Sequence, residues 1–365
     1  MVAKNLIFCF DGTNNHPRDA KQEREWFGLG DIEDNGITNI LKLHVLFGGN
    51  LSNDASTAKQ HSHYYSGVGT YGNRIQQLFN AAFAPRNLDV GDIIKRAGKD
   101  LRNLYEVGDQ VFVFGFSRGA AIARRFAAVI DDYLPEGADA AGVVRFMGVF
   151  DTVASIGFPN LDDETRPVSD VVFEDGNVSR HVAEALHLLA LDDKRTAFFP
   201  TLMNRDERVS EVWFPGAHSD VGGGFWYDGL SDIALQYLID ELARRKLKLK
   251  VLDSKKVKYE QLVAPNGDYR IDRDDVFLKP NHKGKLHQQD RWWPIAKTTL
   301  SSRRLRVNEN DRPVDGACPT VHHSVIDRIR DIVEYRPKAM KGAPHQVLLK
   351  DGSFKPHQGV IDHIA

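Results

Sequence analysis

Cysteine is nearly absent from this 365-residue chain, which carries only Cys9 and Cys318. So few thiols exclude a disulfide-stapled scaffold and leave Cys9, inside an apolar run, as a reduced core residue. An excess of one charge is lacking too. Lys and Arg number 48 against 50 Asp and Glu, a formal net charge of −2, so no basic field points to nucleic acid. No window approaches the roughly 18 apolar residues that would span a bilayer. The N-terminus "MVAKNLIFCFDGTNN" enters a strand pattern without the long apolar segment of a secretory signal. Cytoplasmic synthesis is expected, with any export using a non-Sec route. Internal repeats and low-complexity tracts are missing as well.

What remains is a long chain with ordinary hydrophobic and charged content, enough for one large α/β domain with additions. "NLIFCF" (5–10), "HYYSGVG" (63–69), "QVFVFGF" (110–116), "AGVVRFMGVFDTVAS" (141–155) and "VSEVWFPGAHSDVGGG" (209–224) read as strands. "ITNILKLHVLF" (37–47), "VGDIIKRAGKDLRNLYE" (90–106), "HVAEALHLLALDD" (181–193) and "LSDIALQYLIDELARRK" (230–246) read as helices, the last with Ser231 as N-cap. Their alternation predicts a mostly parallel sheet with helices on both faces. Beyond about residue 247 Lys, Pro and Asn become more frequent and periodicity fades. The expected organisation is a core over 1–246 and an accessory segment over 247–365 packed on it, not a repeat of the core.

At "VFVFGFSRGAAIARRF" (111–126) a buried strand becomes a small-residue helix at a serine flanked by glycines. A plain helix cap would explain the serine alone. A nucleophile elbow explains the whole stretch: the turn is so sharp that side chains beside it would clash, and it lifts the Ser117 hydroxyl above the sheet. It also aims a helix N-terminus at any oxyanion formed there.

In an open parallel sheet the site lies at the carboxyl ends of the strands. Those ends carry Asp11-Gly12-Thr13, Ser117, Asp151 and His218-Ser219-Asp220. The order Ser, Asp, His is that of α/β-hydrolase triads. His218 would take the serine proton, and Asp151 would hold the imidazole tautomer. Asp220 is the rival acid, more naturally bracing the His loop; His322 and His323 in "PTVHHSVIDRI" are rival bases, with His323 retained as a supporting residue. Oxyanion donors are expected from the Arg118 N–H and from Gly12 or Thr13, with Asp11 bracing their loop. "DGT" also occurs in phosphatases of the haloacid dehalogenase type, but Cys9 occupies the position of their nucleophilic Asp.

"FCFDGTNN", "YYSGVGT", "GFSRGAAIAR", "GVFDTVASIG", "LALDDKRTAF" and "VWFPGAHSDVGGG", in order over residues 6–224, resemble the bacterial and fungal hydrolases typified by the catalytic domain of type VI secretion phospholipase effectors, the Tle-type lipases. "VHHSVIDR" resembles a later segment of that family. The resemblance implies an α/β-hydrolase fold, a triad of Ser117, Asp151 and His218, and ester hydrolysis, often of phospholipids. The chain shows no large C-terminal membrane-targeting region like that of longer members, which leaves the ester class open.

The expectation is thus a serine esterase or lipase needing no cofactor and no metal. Its partners would be a lipid or other ester substrate, with a secretion-apparatus or immunity protein beside it. The alternative is a non-catalytic hydrolase-fold binding module. Peripheral membrane contact has a local basis in "ARRKLKLKVLDSKKVK" (243–258), which holds eight basic residues and one acid, and in "RWWP" (291–294).

Overall fold

A computed structural model of the chain describes residues 3–12, 36–57, 59–67, 87–153, 176–226, 228–264, 269–287 and 300–364. Thr13 and the tryptophans of "RWWP" lie outside them. The elements run β1 (Asn5–Phe10), α1 (Asn39–Leu46), β2 (Ser56–Thr57), β3 (Gln60–Tyr65), α2 (Asn87–Leu104), β4 (Gln110–Phe116), α3 (Arg118–Ala128), β5 (Val144–Phe150), β6 (Ala185–Ala190) and β7 (Val209–Phe214). They continue with α4 (His218–Gly222), α5 (Gly229–Arg244), α6 (Arg273–Val276), β8 (Asn308–Glu309), β9 (Arg312–Pro313), β10 (Thr320–His322), α7 (His323–Asp331), β11 (His345–Leu348) and β12 (Phe354–His357).

Among the described residues ten strands form one sheet in the order β12-β11-β10-β7-β6-β5-β4-β1-β3-β2, while β8 and β9 pair separately. Every neighbour pair is parallel except β2 with β3 and β11 with β12 at the two edges. Side-chain alternation assigns the two faces. Leu6, Phe8 and Phe10 of β1, with Val111 and Val113 of β4, pack against α2 and α3. Ile7 and Cys9, with Phe112, Phe114 and Phe116, pack against α1 and α5. This is the α/β-hydrolase arrangement. The chain leaves β1 toward β3 on one side and leaves β4 toward β5 on the other, so the crossovers diverge between β1 and β4. Crevices open at such points, and Ser117 follows β4 there.

Three readings of the sequence change. Residues 185–190 form a strand, not a helix. Every position of β6 is buried, and a short run that is apolar throughout suits a central parallel strand as well as a buried helix. His187 is tolerated there because both ring nitrogens are satisfied: Nδ1 lies 2.8 Å from Glu211 Oε1, and Nε2 accepts the Thr152 N–H at 3.0 Å. Second, α5 begins at Gly229 after Asp228, and Ser231 sits inside it with its hydroxyl donating to the Asp228 carbonyl at 3.0 Å. Third, residues beyond 246 do not merely rest on the core. β10, β11 and β12 extend the same sheet from β7, and the covering helix α7 packs through Val325 and Ile329 against Trp213 and Val321. Strands of three or four residues are too short for period-two patterning to register.

The basic run lies away from Ser117. Lys246, Lys248 and Lys250 are exposed around buried Leu247, and the backbone carbonyls of Lys248 and Lys250 accept from Asn5 and Gln60 at the amino ends of β1 and β3. Arg245 is spent on Glu184 and Glu241. Among the described residues no helix is long and apolar enough to cross a membrane.

A buried ion cluster fastens α1 to α5. Lys42, 1% exposed, donates to Asp232 Oδ1 at 2.9 Å and to Asp228, and Asp232 also accepts the Lys279 N–H at 2.7 Å. Lys42→Met would strand two carboxylates, so it is expected to cost about 3–5 kcal/mol. Calorimetry should then show a melting temperature lower on the order of 10 °C; an unchanged value would mean that water or another cation replaces the lysine.

Candidate active site

Ser117 joins β4 to α3 at φ 57°, ψ −125°, a backbone region that costs a non-glycine residue about 1–3 kcal/mol. Its surroundings over-determine that geometry. The Ser117 N–H donates to the Phe150 carbonyl at 3.1 Å, and the Ser117 carbonyl accepts from Val153 at 3.2 Å. The flanking glycines are sterically required. A Cβ on Gly119 would lie 2.3 Å from the carbonyl oxygens of Phe10 and Asp11, and one on Gly115 would lie 2.7 Å from Gly119 O and Ala120 Cα. Arg118 is the first residue of α3, where backbone N–H groups have no intrahelical acceptor.

Asp151 follows β5, fully buried, at φ 39°. His218 opens α4 just after β7, with its ring 4.6 Å from Phe116 and edge-on to Phe198 at 5.0 Å between centres. His218 Nδ1 lies 2.6 Å from Asp151 Oδ2. Burial pushes the Asp151 carboxyl up, but the Arg303 guanidinium and the hydrogen bonds from His218 and Arg303 outweigh it, so the group falls below the usual carboxylate range. An ionised Asp151 can only accept, which fixes the proton on Nδ1 and the lone pair on Nε2. Burial holds the imidazole below its ordinary value of 6.5 against the raising pull of Asp151, so the ring is neutral at neutral pH. Among the described residues, buried His218 Nε2 has no hydrogen-bond partner.

Several charged groups around this pair escaped the sequence reading. Arg303 makes a bidentate pair with Asp151, Nη1 to Oδ1 at 2.6 Å and Nη2 to Oδ2 at 2.8 Å. Asp193, after β6, accepts the His218 N–H at 3.1 Å and is held by Arg195 at 2.7 Å. Asp192 accepts from the Gly216 N–H at 2.8 Å and the Tyr335 hydroxyl at 2.6 Å; burial raises its carboxyl to about 6. "LDD" was the available signal for the aspartates, hidden because its segment read as a helix. Arg303 had none, since nothing in its neighbourhood is periodic.

The remaining candidates divide. Asp11 accepts from Thr38 Oγ1 and the Tyr64 hydroxyl, each at 2.6 Å, which is a bracing role. It also takes the Gly12 N–H at 2.6 Å, so the donor read for an oxyanion is already committed and Gly12 drops out of that reading; Thr13 lies outside the described residues. Asp220 bonds the Ala217 N–H at 2.9 Å and His287 Nδ1 at 2.5 Å, bracing the turn that carries His218. His322 and His323 do not join the group. His322 caps α7 through Ser324, and His323 bonds Asp327 at 3.0 Å beside a separate cavity of about 510 Å³. Among the described residues no three His, Cys, Asp or Glu side chains are arranged to hold a metal.

The family described as "T6SS, Phospholipase effector Tle1-like, catalytic domain" matches residues 4–133 and 136–241. An uncharacterized protein of Saccharomyces cerevisiae is 27% identical over 249 residues, covering 53% of this chain and 32% of its own length. The chain thus spans about a third of the curated relative it matches. Among solved structures, an uncharacterized protein from Pseudomonas aeruginosa aligns over 77% of this chain and 49% of its own, at 20% identity and a TM-score of 0.44. The Tle1 effector bound to the VgrG spike of the type 6 secretion system aligns over 61% and 51%, at 23% identity and a TM-score of 0.38. With its family match extending from β1 through most of α5, the chain belongs to the Tle1-like phospholipase effector catalytic-domain family.

Proposed function

We propose that this chain is a serine hydrolase of carboxylic esters, acting on lipid or phospholipid esters through an acyl-enzyme on Ser117. The observation that carries the reading is the buried Nε2 of His218, which no polar group among the described residues meets and whose opposite nitrogen lies 2.6 Å from Asp151. A buried lone pair left without a donor is costly in a folded protein, and here it belongs to a neutral imidazole at the same carboxyl-end layer of the sheet as a strained serine.

The chemistry runs in two halves. Ser117 Oγ attacks the ester carbonyl carbon while its proton passes to His218 Nε2. The oxyanion is met by the Arg118 N–H at the start of α3 and by a second donor, for which Thr13 is the remaining candidate. Collapse expels the alcohol, which takes the proton from His218 and leaves an acyl group on Ser117. Water then attacks that ester, giving its proton to Nε2, and release of the acid returns the proton to Ser117. Asp151 keeps Nδ1 protonated throughout and stabilises the transient imidazolium.

Lipid as the substrate class rests on family membership, as does a secretion-apparatus or immunity partner. The lysine row at the amino ends of β1 and β3 is the basis for peripheral contact with anionic headgroups; a domain lying on that face would turn Ser117 away from the surface. A fluorophosphonate probe followed by intact-mass measurement tests the reading: stoichiometric labelling of the wild type, none of Ser117→Ala, and acyl release from a lipid and ester panel are expected. A folded wild type that neither labels nor turns over any ester would instead favour the binding module.

A further inference from the structure

Arg303 reaches the site from the chain beyond α5 and is 3% exposed. Besides its fork to Asp151, its Nη1 donates to the Ala190 carbonyl at 2.6 Å and its Nη2 to the Phe198 carbonyl. Asp151 Oδ1 therefore takes Ala190 N–H and Arg303 Nη1, while Oδ2 takes His218 Nδ1 and Arg303 Nη2. We propose that Arg303 is a positioning residue for the hydrolysis, acting through Asp151: it locks the carboxylate plane so that Oδ2 faces His218, and it offsets the carboxylate charge that the imidazole feels. This rests on the reading of Ser117, Asp151 and His218 as hydrolytic.

Two physical arguments support it. Without Arg303 each Asp151 oxygen would keep one donor, the Ala190 N–H on Oδ1 and His218 Nδ1 on Oδ2; a planar guanidinium gripping both oxygens adds a second to each and stiffens rotation about the Cβ–Cγ bond. The second concerns charge. An unpaired buried carboxylate 2.6 Å from an imidazole would strongly favour the imidazolium, and a base already protonated cannot accept the Ser117 proton. Pairing Asp151 with Arg303 makes the unit nearly neutral as seen from His218. The other groups facing the ring are Asp193, which raises its proton affinity, and Arg195, which lowers it, along with the uncharged rings of Phe116 and Phe198. Asp192 and Asp193 also act on Arg303. Phe198 touches both partners: its ring stands perpendicular to that of His218, and its carbonyl accepts from Arg303.

The test compares Arg303→Met and Arg303→Lys with the wild type on a chromogenic ester, recording kcat and KM across pH together with melting temperature. Arg303→Met removes the charge, so the acid limb of kcat/KM is expected to move to higher pH by about one unit. Arg303→Lys keeps the charge but loses the fork; its limb should stay in place while kcat falls on the order of tenfold or more at unchanged KM. A limb unmoved in folded Arg303→Met would reduce Arg303 to packing and overturn the proposal. Should Arg303→Met not fold, Arg303→Lys decides: a raised KM with kcat kept overturns it. If Ser117→Ala still turns over the same ester, the hydrolytic reading itself fails; if that variant is dead and only the Arg303 results depart, this inference alone fails.

Discussion

Ser117→Ala is expected to lose between about three and six orders of magnitude in kcat while melting close to the wild type. The size follows from the role proposed for the hydroxyl. Without it no acyl-enzyme forms, and the residual rate is what the oxyanion donors and substrate binding give to direct attack by water. The fold should not suffer, because the constraints at residue 117 are backbone ones: its N–H to Phe150, its carbonyl to Val153, and the clearances at Gly115 and Gly119. Alanine retains all of them. Rates on the most responsive ester, measured beside circular dichroism and melting curves, decide the matter. Retention of more than about a tenth of the activity by a folded variant would falsify the nucleophile assignment, since triad losses are far larger.

His218→Ala and Asp151→Asn should approach that loss, and the comparison with His323 and Asp220 gives the result its meaning. Removing the imidazole removes the proposed acceptor for the Ser117 proton. Asp151→Asn keeps the shape against Arg303 but replaces an obligate acceptor with an amide, so the His218 tautomer is no longer enforced; a loss of about ten-thousandfold is the scale of such a change. His323→Ala should stay within a few-fold of the wild type, because that ring is engaged with Asp327 at the start of α7. Asp220→Ala should lower the melting temperature more than the rate, since its carboxylate braces the Ala217 backbone and His287. An inactive but folded His323→Ala beside an active His218→Ala would overturn the assignment of the base.

The parts of this architecture that could be read in the sequence are those that sterics and periodicity write into it locally. β4 and α3 were legible because alternating Val and Phe give way to a glycine-flanked serine and then to closely packing alanines. The proposed residues Ser117, Asp151 and His218 could be picked out because each stands at or shortly after the carboxyl end of such a strand. Asp11 and Asp220 were read as braces; in the structure Asp11 bonds Thr38, Tyr64 and the Gly12 N–H, and Asp220 bonds the Ala217 N–H and His287. β6 was misread because a run buried on all sides has no period. Gly12 was misread because its N–H has a private acceptor in the preceding side chain, which no spacing reveals. β10 and β11 were missed because three or four residues carry too little pattern. Arg303 was invisible for a further reason: it lies 152 residues from Asp151, and its importance comes only from the partner that folding gives it.

The reach of Arg303 bears on how such a protein can be taken apart. The family match ends at residue 241, so a fragment cut at that boundary would keep Ser117, Asp151 and His218. It would lose the guanidinium on Asp151 and the tyrosine hydroxyl on Asp192. It would also turn β7 into a raw edge, its hydrogen-bonding groups no longer met by β10. Such a piece would contain every residue of the proposed reaction but would keep only part of the fastening on its two acids, the Ala190 N–H and His218 on Asp151 and the Gly216 N–H on Asp192. The stretch that can be recognised across relatives is therefore smaller than the stretch that must travel together for the machine to hold its shape, and any cloning, grafting or recombination of the site has to respect the second limit.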